Sequence, residues 1–434
     1  MEEELNLAED LLTFIHKSPT AFHAVENAKD ILNKYNFIEI KERENWTIEK
    51  GGKYFMARNG SALAAFIVGT GAVEQEGFRI ICAHTDSPSF RIKPKAEMIA
   101  EEHYVKLNTE TYGQPILSTW MDRPLSVAGR VVIKGGKLLL PIIRLVNIRK
   151  PFLVIPSLAI HMNREVNSGV EFNKQKDMLP LMATVNEKLE KGDYLLNVIA
   201  EEMEIIPSEI IDFDLFLYEA EKGVVMGLDD EFILSPRLDD LAMVHAGITA
   251  LSKVTSCQNT CVMVCFDNEE VGSISKQGAN SQLLSSILER IALSMADNKE
   301  DFFTAIPRSF MISADLAHAV HPNKGERCDP QNRPLINKGP VIKVSSNLRY
   351  TTDSVSSSVY AQICANANIP YQFFVNRSDE RGGSTIGPIL SSHLGIKCVD
   401  IGTPILAMHS ARELGGVLDH SYVLKSFEEF YKYE

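Results

Sequence analysis

Cys261-Val-Met-Val-Cys-Phe-Asp-Asn-Glu-Glu270 runs from a wholly apolar stretch straight into three acids. A short apolar run bounded by polar residues reads as a buried β-strand. Helical patterns stand on either side: Leu238 to Val254 before it and Leu283 to Ala296 after it, followed by the strand-like SFMISAD and the helix-like VSSSVYAQICANANI. Helices alternating with short buried strands predict an α/β layer built on a mainly parallel sheet. The Glu269-Glu270 pair at the end of the run is costly, because neighbouring carboxylates repel unless cations balance them. Read alone, without the other ligand segments, it is better taken as a solvated acidic loop.

Four further segments place an acid or a histidine beside an apolar stretch: FRIICAHTD (His84, Asp86), SPRLDDL (Asp239), SFMISAD (Asp315) and ILAMHS (His409). In open α/β sheets reactive groups gather where strands end and loops begin, and every segment except SPRLDDL reads as a strand end. Singly, each has a plain structural explanation. His84 suits a strand end, Asp239-Asp240 a helix N-terminus, and Asp315 the turn after a strand. Together they match what two neighbouring divalent cations require: about five nitrogen and oxygen ligands, one bridging carboxylate, and an unliganded acid for protons. His84, Asp239, Glu270, Asp315 and His409 fill that set, with Glu269 as general base. Spacing does not fix which of the two glutamates takes which part. Asp86 is placed to accept the other N–H of a ligating His84. His245, His318 and His321 read as packed or hydrogen-bonded supports.

His409 precedes Ser410-Ala-Arg-Glu413, a capping-box pattern that predicts a helix directly after it. Gly382-Gly-Ser-Thr-Ile-Gly-Pro388 is a turn into an apolar helix, either ordinary turn chemistry or a backbone wall of a pocket. Ser18-Pro19 predicts an N-cap with Pro at the first helical position, ahead of a stripe formed by Phe22, Val25, Ala28 and Ile31.

Between about Pro94 and Leu228 the texture is β-rich. Gly135-Gly136 has the composition of a hairpin turn, and IIDFDLFLYEA alternates from Ile211 to Tyr218. The ligand segments lie on both sides of this stretch. The simplest architecture is a catalytic domain (1–93 and 229–434) interrupted by a β-rich insert (94–228).

A length of 434 residues allows about two domains, with 45% hydrophobic content for a large core. The net charge of −13 disfavours non-specific binding to nucleic acid or anionic membranes. Seven scattered cysteines, an odd number mostly within apolar runs, predict reduced thiols. The acidic start MEEELNLAEDLL is unlike a basic signal peptide, and no apolar stretch approaches the ~18 residues of a membrane span. A cytoplasmic protein is expected, with no membrane or nucleic-acid partner.

CAHTDSPSFRIKP, SPRLDDL, FDNEEVGS, DLAHAVHPN, GGSTIGPI and MHSARE stand in the order and near the spacing of the motifs of the aspartyl aminopeptidase (M18) family of metallo-aminopeptidases, which the chain resembles over nearly its whole length. The resemblance implies an α/β zinc-peptidase (phosphorylase/hydrolase-like) catalytic domain carrying an inserted β-rich dimerisation domain. It implies two Zn²⁺ per subunit, with Co²⁺ or Mn²⁺ as substitutes. Asp239 would bridge them, His84 and Asp315 would hold one, Glu270 and His409 the other. Glu269 would be the general acid/base and Asp86 would orient His84. His161, in LAIHMNREVN, would reach a neighbouring subunit's site, making the catalytic unit a dimer within a tetrahedral dodecamer that acts on peptides. One departure touches specificity. Where some members carry a basic residue for acidic N-terminal side chains, VSSNLRY has Asn347. From the residues alone, the same chemistry would serve a deacylase or carboxypeptidase, and a site that had lost activity would leave an assembly or cargo protein.

Overall fold

In the computed structural model, which describes residues 2–185, 193–295 and 298–433, the apolar run is the strand Thr260–Phe266, buried at every residue. It lies inside a nine-stranded sheet whose order is Ile38–Glu39, Lys53–Arg58, Ala62–Ile67, Thr260–Phe266, Phe78–His84, Phe310–Ala314, Lys397–Gly402, Val341–Val344, Gln372–Val375. The four strands from Thr260–Phe266 to Lys397–Gly402 are mutually parallel and are flanked on each side by an antiparallel pairing, while the outermost pair at each edge is parallel. Parallel central strands need cover on both faces, and their residues alternate accordingly. Ile81, Met263 and Ile312 pack on one side with Leu11, Leu12 and Leu241. Ile80, Val262 and Met311 pack on the other with Leu284, Ile287 and Leu288. The helix expected to end at Ala296 is Leu283–Met295; Ala296 lies outside the described residues.

The chain divides into two compact units. One comprises Met1–Asp86, Gly223–Met408 and Glu413–Glu434 and contains the nine-stranded sheet; the other comprises Ser87–Lys222 and His409–Arg412. The second unit is built on a six-stranded antiparallel sheet in the order Leu140–Asn147, Leu125–Lys137, Ile210–Glu219, Ser89–Ala100, Tyr104–Tyr112, Leu181–Thr184.

Two local expectations need correction. Gly135 and Gly136 are not the hairpin turn. Their strand runs on to Lys137, which pairs with Leu140, and the register shifts between Ile133 and Gly136. Both glycines have positive φ (115° and 75°), as a bulge requires. Pro94 falls within Ser89–Ala100, at a register shift between Ile92 and Glu97, where a missing N–H is tolerated. Ser18 does not cap the next helix. That helix is Ala21–Lys34 with Thr20 at its N-cap, and Ser18 Oγ accepts a hydrogen bond from Asn27 Nδ2 instead (2.9 Å). Ahead of it the acidic start forms a helix, Glu2–Lys17, with glutamates in its first turn and Lys17 in its last, matching the helix dipole.

Candidate metal centre

Because the central strands are parallel and in register, their carboxyl ends share one edge of the sheet. Phe266 stands opposite His84, and Ala314 ends the neighbouring strand. The residues that follow, Glu269, Glu270 and Asp315, therefore meet His84 there. Asp239 and Asp240 come to the same place at the opening of the Leu238–Lys253 helix, where both have non-helical backbone angles and are joined by a cis peptide bond. One ligand atom from each of His84, Asp239, Asp240 and Asp315 lies within 4.8 Å of the others; so do those of His84, Glu269 and Glu270.

The ring of His84 has a fixed orientation. Its Nδ1 donates to the Asp86 carbonyl (3.1 Å), with an Asp86 carboxylate oxygen at 3.4 Å. A carbonyl can only accept, so Nδ1 carries a proton, and it is Nε2 that has the lone pair whenever the ring is neutral. Nε2 faces Asp239 Oδ1 at 3.4 Å and Asp315 Oδ1 at 3.9 Å. In the neutral ring that is a lone pair aimed at two carboxylates, an arrangement made favourable by a cation among them. Asp86 also clamps the glutamate pair, since its two carboxylate oxygens accept the backbone N–H groups of Glu269 and Glu270, each at 3.1 Å.

The electrostatics agree. Burial, opposed by His84 and reinforced by Asp315, Asp86 and Asp239, pushes the Glu269 carboxyl up to about 8. Burial and then Asp239 drive Glu270 well above the ordinary carboxylate range. Burial lowers His84, but Asp240, Asp239, Asp315 and Asp86 outweigh it and raise the imidazole well above its usual value. Asp315 goes the other way: burial is overcome by Lys343 and His84, which hold its carboxyl well below the usual range. A buried group of acids that cannot all ionise together, gathered about an imidazole that they hold protonated, is a set of donors whose protons a divalent zinc ion would replace.

Of the other expected residues, His409 belongs to the short segment 409–412 grouped with the second unit. Its Nδ1 donates to the Gln114 carbonyl (3.2 Å), which again leaves Nε2 as the lone-pair nitrogen. No helix follows it: Glu413–Gly416 is a strand paired with Phe232–Ser235, and the next helix is Val417–Lys432. The reason is that Glu413 is engaged elsewhere, accepting the backbone N–H of Asp239 (3.0 Å). His161 lies in an exposed turn of the second unit. His245 is buried between His420 (3.0 Å) and Asp10 (3.2 Å), in keeping with its reading as a support.

Three functional neighbours escaped the sequence reading. Asp240 accepts the backbone N–H of His84 (3.0 Å), Glu413 fixes Asp239, and the buried Lys343 sits 3.4 Å from Asp315. The signal for Lys343 was its place inside the apolar run VIKV, since a lysine there must have an anion to face.

An α/β sheet with histidine and carboxylate donors gathered at the carboxyl edge of its parallel strands defines a metal-dependent hydrolase. Within that class, the chain belongs to the aminopeptidase I zinc metalloprotease (M18) family, whose model matches residues 14–431. It is 60% identical over 431 residues to a probable M18 family aminopeptidase 2 of Clostridium novyi, covering 99% of this chain and 100% of that one. Among solved structures it is similar to a chain of the cryo-EM structure of the Ape4 and Nbr1 complex, with a TM-score of 0.94, 40% identity, and 99% of this chain and 86% of that chain covered. It is also similar to the mApe1 dodecamer of S. cerevisiae, with a TM-score of 0.86, 29% identity, and coverage of 99% and 97%. The protein is a metallo-aminopeptidase of a zinc-dependent family. Among the described residues, no helix is long and apolar enough to cross a membrane.

Proposed function

We propose that this aminopeptidase works with two zinc ions, bridged by Asp239. His84 and Asp315 hold one; Glu270 and His409 hold the other. The observation that carries the reading is the fixed His84 ring, whose lone-pair nitrogen faces Asp239 and Asp315 while Asp86 holds Glu269 and Glu270 by their backbones. When bound, zinc polarises a scissile carbonyl and lowers the pKa of water. Glu269 accepts the proton of the attacking water on its carboxylate and delivers it to the departing amine, so it ends the cycle ionised as it began. Co²⁺ or Mn²⁺ would substitute for zinc.

The substrate class is peptides with a free amino terminus. In the Val341–Tyr350 region Lys343 is buried against Asp315, while Asn347 and Arg349 are exposed. Arg349 is the cation available there to an acidic N-terminal side chain, and with Asn347 in place of a basic residue neutral side chains are accepted too. The unit from Ser87 to Lys222 serves dimerisation, His161 acts in a partner's site as an oxyanion donor, and the dimers build a dodecamer, as the similarity to the mApe1 dodecamer supports.

The test is removal of metal by a chelator. Hydrolysis of amino-acid anilides should vanish and return with Zn²⁺ or Co²⁺, while N-acyl amino acids remain uncleaved. Chelator-resistant turnover, or a preference for N-acyl substrates, would count against it.

A further inference from the structure

Within the unit that holds the acid centre, the chain forms a cavity of about 280 Å³ that the mechanism leaves unused. Its walls come from the loop after Asp315, from His318 to Cys328, and from the segment Phe374 to Gly383. Although the chain carries a net charge of −13, these walls are rich in cations. Arg327 pairs with Glu380 and Arg377 with Asp379 (2.7 Å), so those four charges cancel. Lys324 and Arg381 also line the cavity, and among the described residues neither has a carboxylate within ion-pair distance. His321 adds a donor: its Nδ1 accepts the N–H of Asn323 (3.1 Å), so in the neutral ring the other nitrogen carries the proton. Gly382 closes the second wall, packed so tightly on Asn376 that a Cβ would come within 2.1 Å of the amide nitrogen. Two unneutralised cations and an N–H donor around a concavity make a receptor for an anion.

The position indicates which anion. A row of side chains joins the cavity to the acid centre: Lys343 lies 3.4 Å from Asp315 and 5.5 Å above the Tyr350 ring. Tyr350 stacks edge-on with Phe374 (6.2 Å), which meets His318 (5.9 Å). His318 is three residues beyond Asp315, so their Cα atoms are at most ~11 Å apart. An extended peptide advances ~3.4 Å per residue. A substrate whose amino end is held at the acid centre can extend only toward its own C-terminus. Resting on the aminopeptidase reading, we propose that this cavity binds a carboxylate of the peptide two or three residues beyond the scissile bond, either the C-terminal carboxylate of a short peptide or an acidic side chain. Lys324 and Arg381 are then specificity-determining residues that favour short or acidic peptides.

The experiment compares zinc-loaded, full-length protein with its Lys324→Ala/Arg381→Ala variant; both side chains are exposed, so the fold is left intact. Three tripeptides are used: one with a free C-terminus, its C-terminal amide, and an amide with Asp at the third position. An amino-acid anilide, which cannot reach the cavity, is the control. Wild-type protein should show a KM on the order of fivefold lower for the free acid than for the amide, as two exposed ion pairs provide. High salt should shrink that difference. The variant should lose it with kcat and anilide hydrolysis unchanged. A gain confined to the free acid assigns the site to the C-terminus, and an equal gain for the aspartyl amide assigns it to a carboxylate in either place. Equal KM values for acid and amide in the wild type, or a preference that survives in the variant, overturn the proposal. Failure of the wild type to cleave the anilide sinks the aminopeptidase reading itself, and this inference with it.

Discussion

Glu269 and Glu270 are adjacent in sequence and share the Asp86 clamp, yet they are assigned different chemistry. The assignment is testable because the two parts fail differently. Glu269→Gln keeps the volume and removes the base, so zinc content should stay at the wild-type value while kcat falls by roughly 10² to 10⁴. Near-normal turnover, or loss of a zinc ion, would move the base to Glu270. A second prediction concerns pH. Burial raises the Glu269 carboxyl to about 8 and drives Glu270 up as well. Between the ordinary glutamate range and about 8, the folded metal-free chain holds protons that the unfolded chain has released, so its stability falls as pH rises. The Tm of chelator-treated protein should therefore drop between about pH 5 and about pH 8, and zinc should remove that slope, since binding requires ionised carboxylates and releases their protons. A metal-free Tm that climbs across this window would contradict the burial of these acids. What sequence made legible at this scale follows the same physics. An acid ending an apolar run is visible along the chain, as Asp315 and Glu270 are. Asp240, by contrast, serves a backbone N–H on a strand more than 150 positions away, so nothing local marks its role, while the apolar run around Lys343 marks a lysine that needs an anion without saying that the anion is Asp315.

At the scale of elements, sequence pattern found strands and helices where one face or a whole run was apolar, and faltered where a local motif had two uses. Ser410-Ala-Arg-Glu413 satisfies the capping-box pattern, but Glu413 accepts from Asp239 and its backbone joins a strand. Gly135-Gly136 suits a turn and a bulge equally, and pairing with the next strand decided between them. The parallel strands also show how closely the elements fix the site. Gly402 ends Lys397–Gly402 beside Asp315, and a Cβ there would stand only 1.7 Å from the Asp315 carbonyl oxygen. Gly402→Ala should force the two strand ends apart, costing about 1–3 kcal/mol as overpacking does. Because the displaced backbone carries Asp315, zinc affinity should fall along with the urea midpoint. A variant that loses stability but titrates zinc as wild type does would show that Asp315 is held from elsewhere, Lys343 being the side chain then to examine.

At the scale of the whole molecule the open matter is whether one chain makes a complete site. His161 occupies an exposed turn in which Leu158, Ile160 and Met162 are 54%, 47% and 74% accessible. Apolar side chains exposed together on one loop are at home against another protein surface, and a second copy of the chain is the partner the family relationship favours. If His161 serves the neighbour's site, two variants that are inactive alone should complement each other. In a dimer of one Glu269→Gln chain with one His161→Phe chain, one site combines the intact Glu269 with the partner's intact histidine, and the other site lacks both. Random pairing of two-fold related protomers makes half the dimers mixed, so co-expression should restore activity to roughly a quarter of the sites. A histidine acting within its own chain predicts no recovery, because every site would then lack either the base or the imidazole. Zinc content measured on the same samples separates this outcome from a failure to assemble the centre, since His161→Phe should retain its full complement of metal.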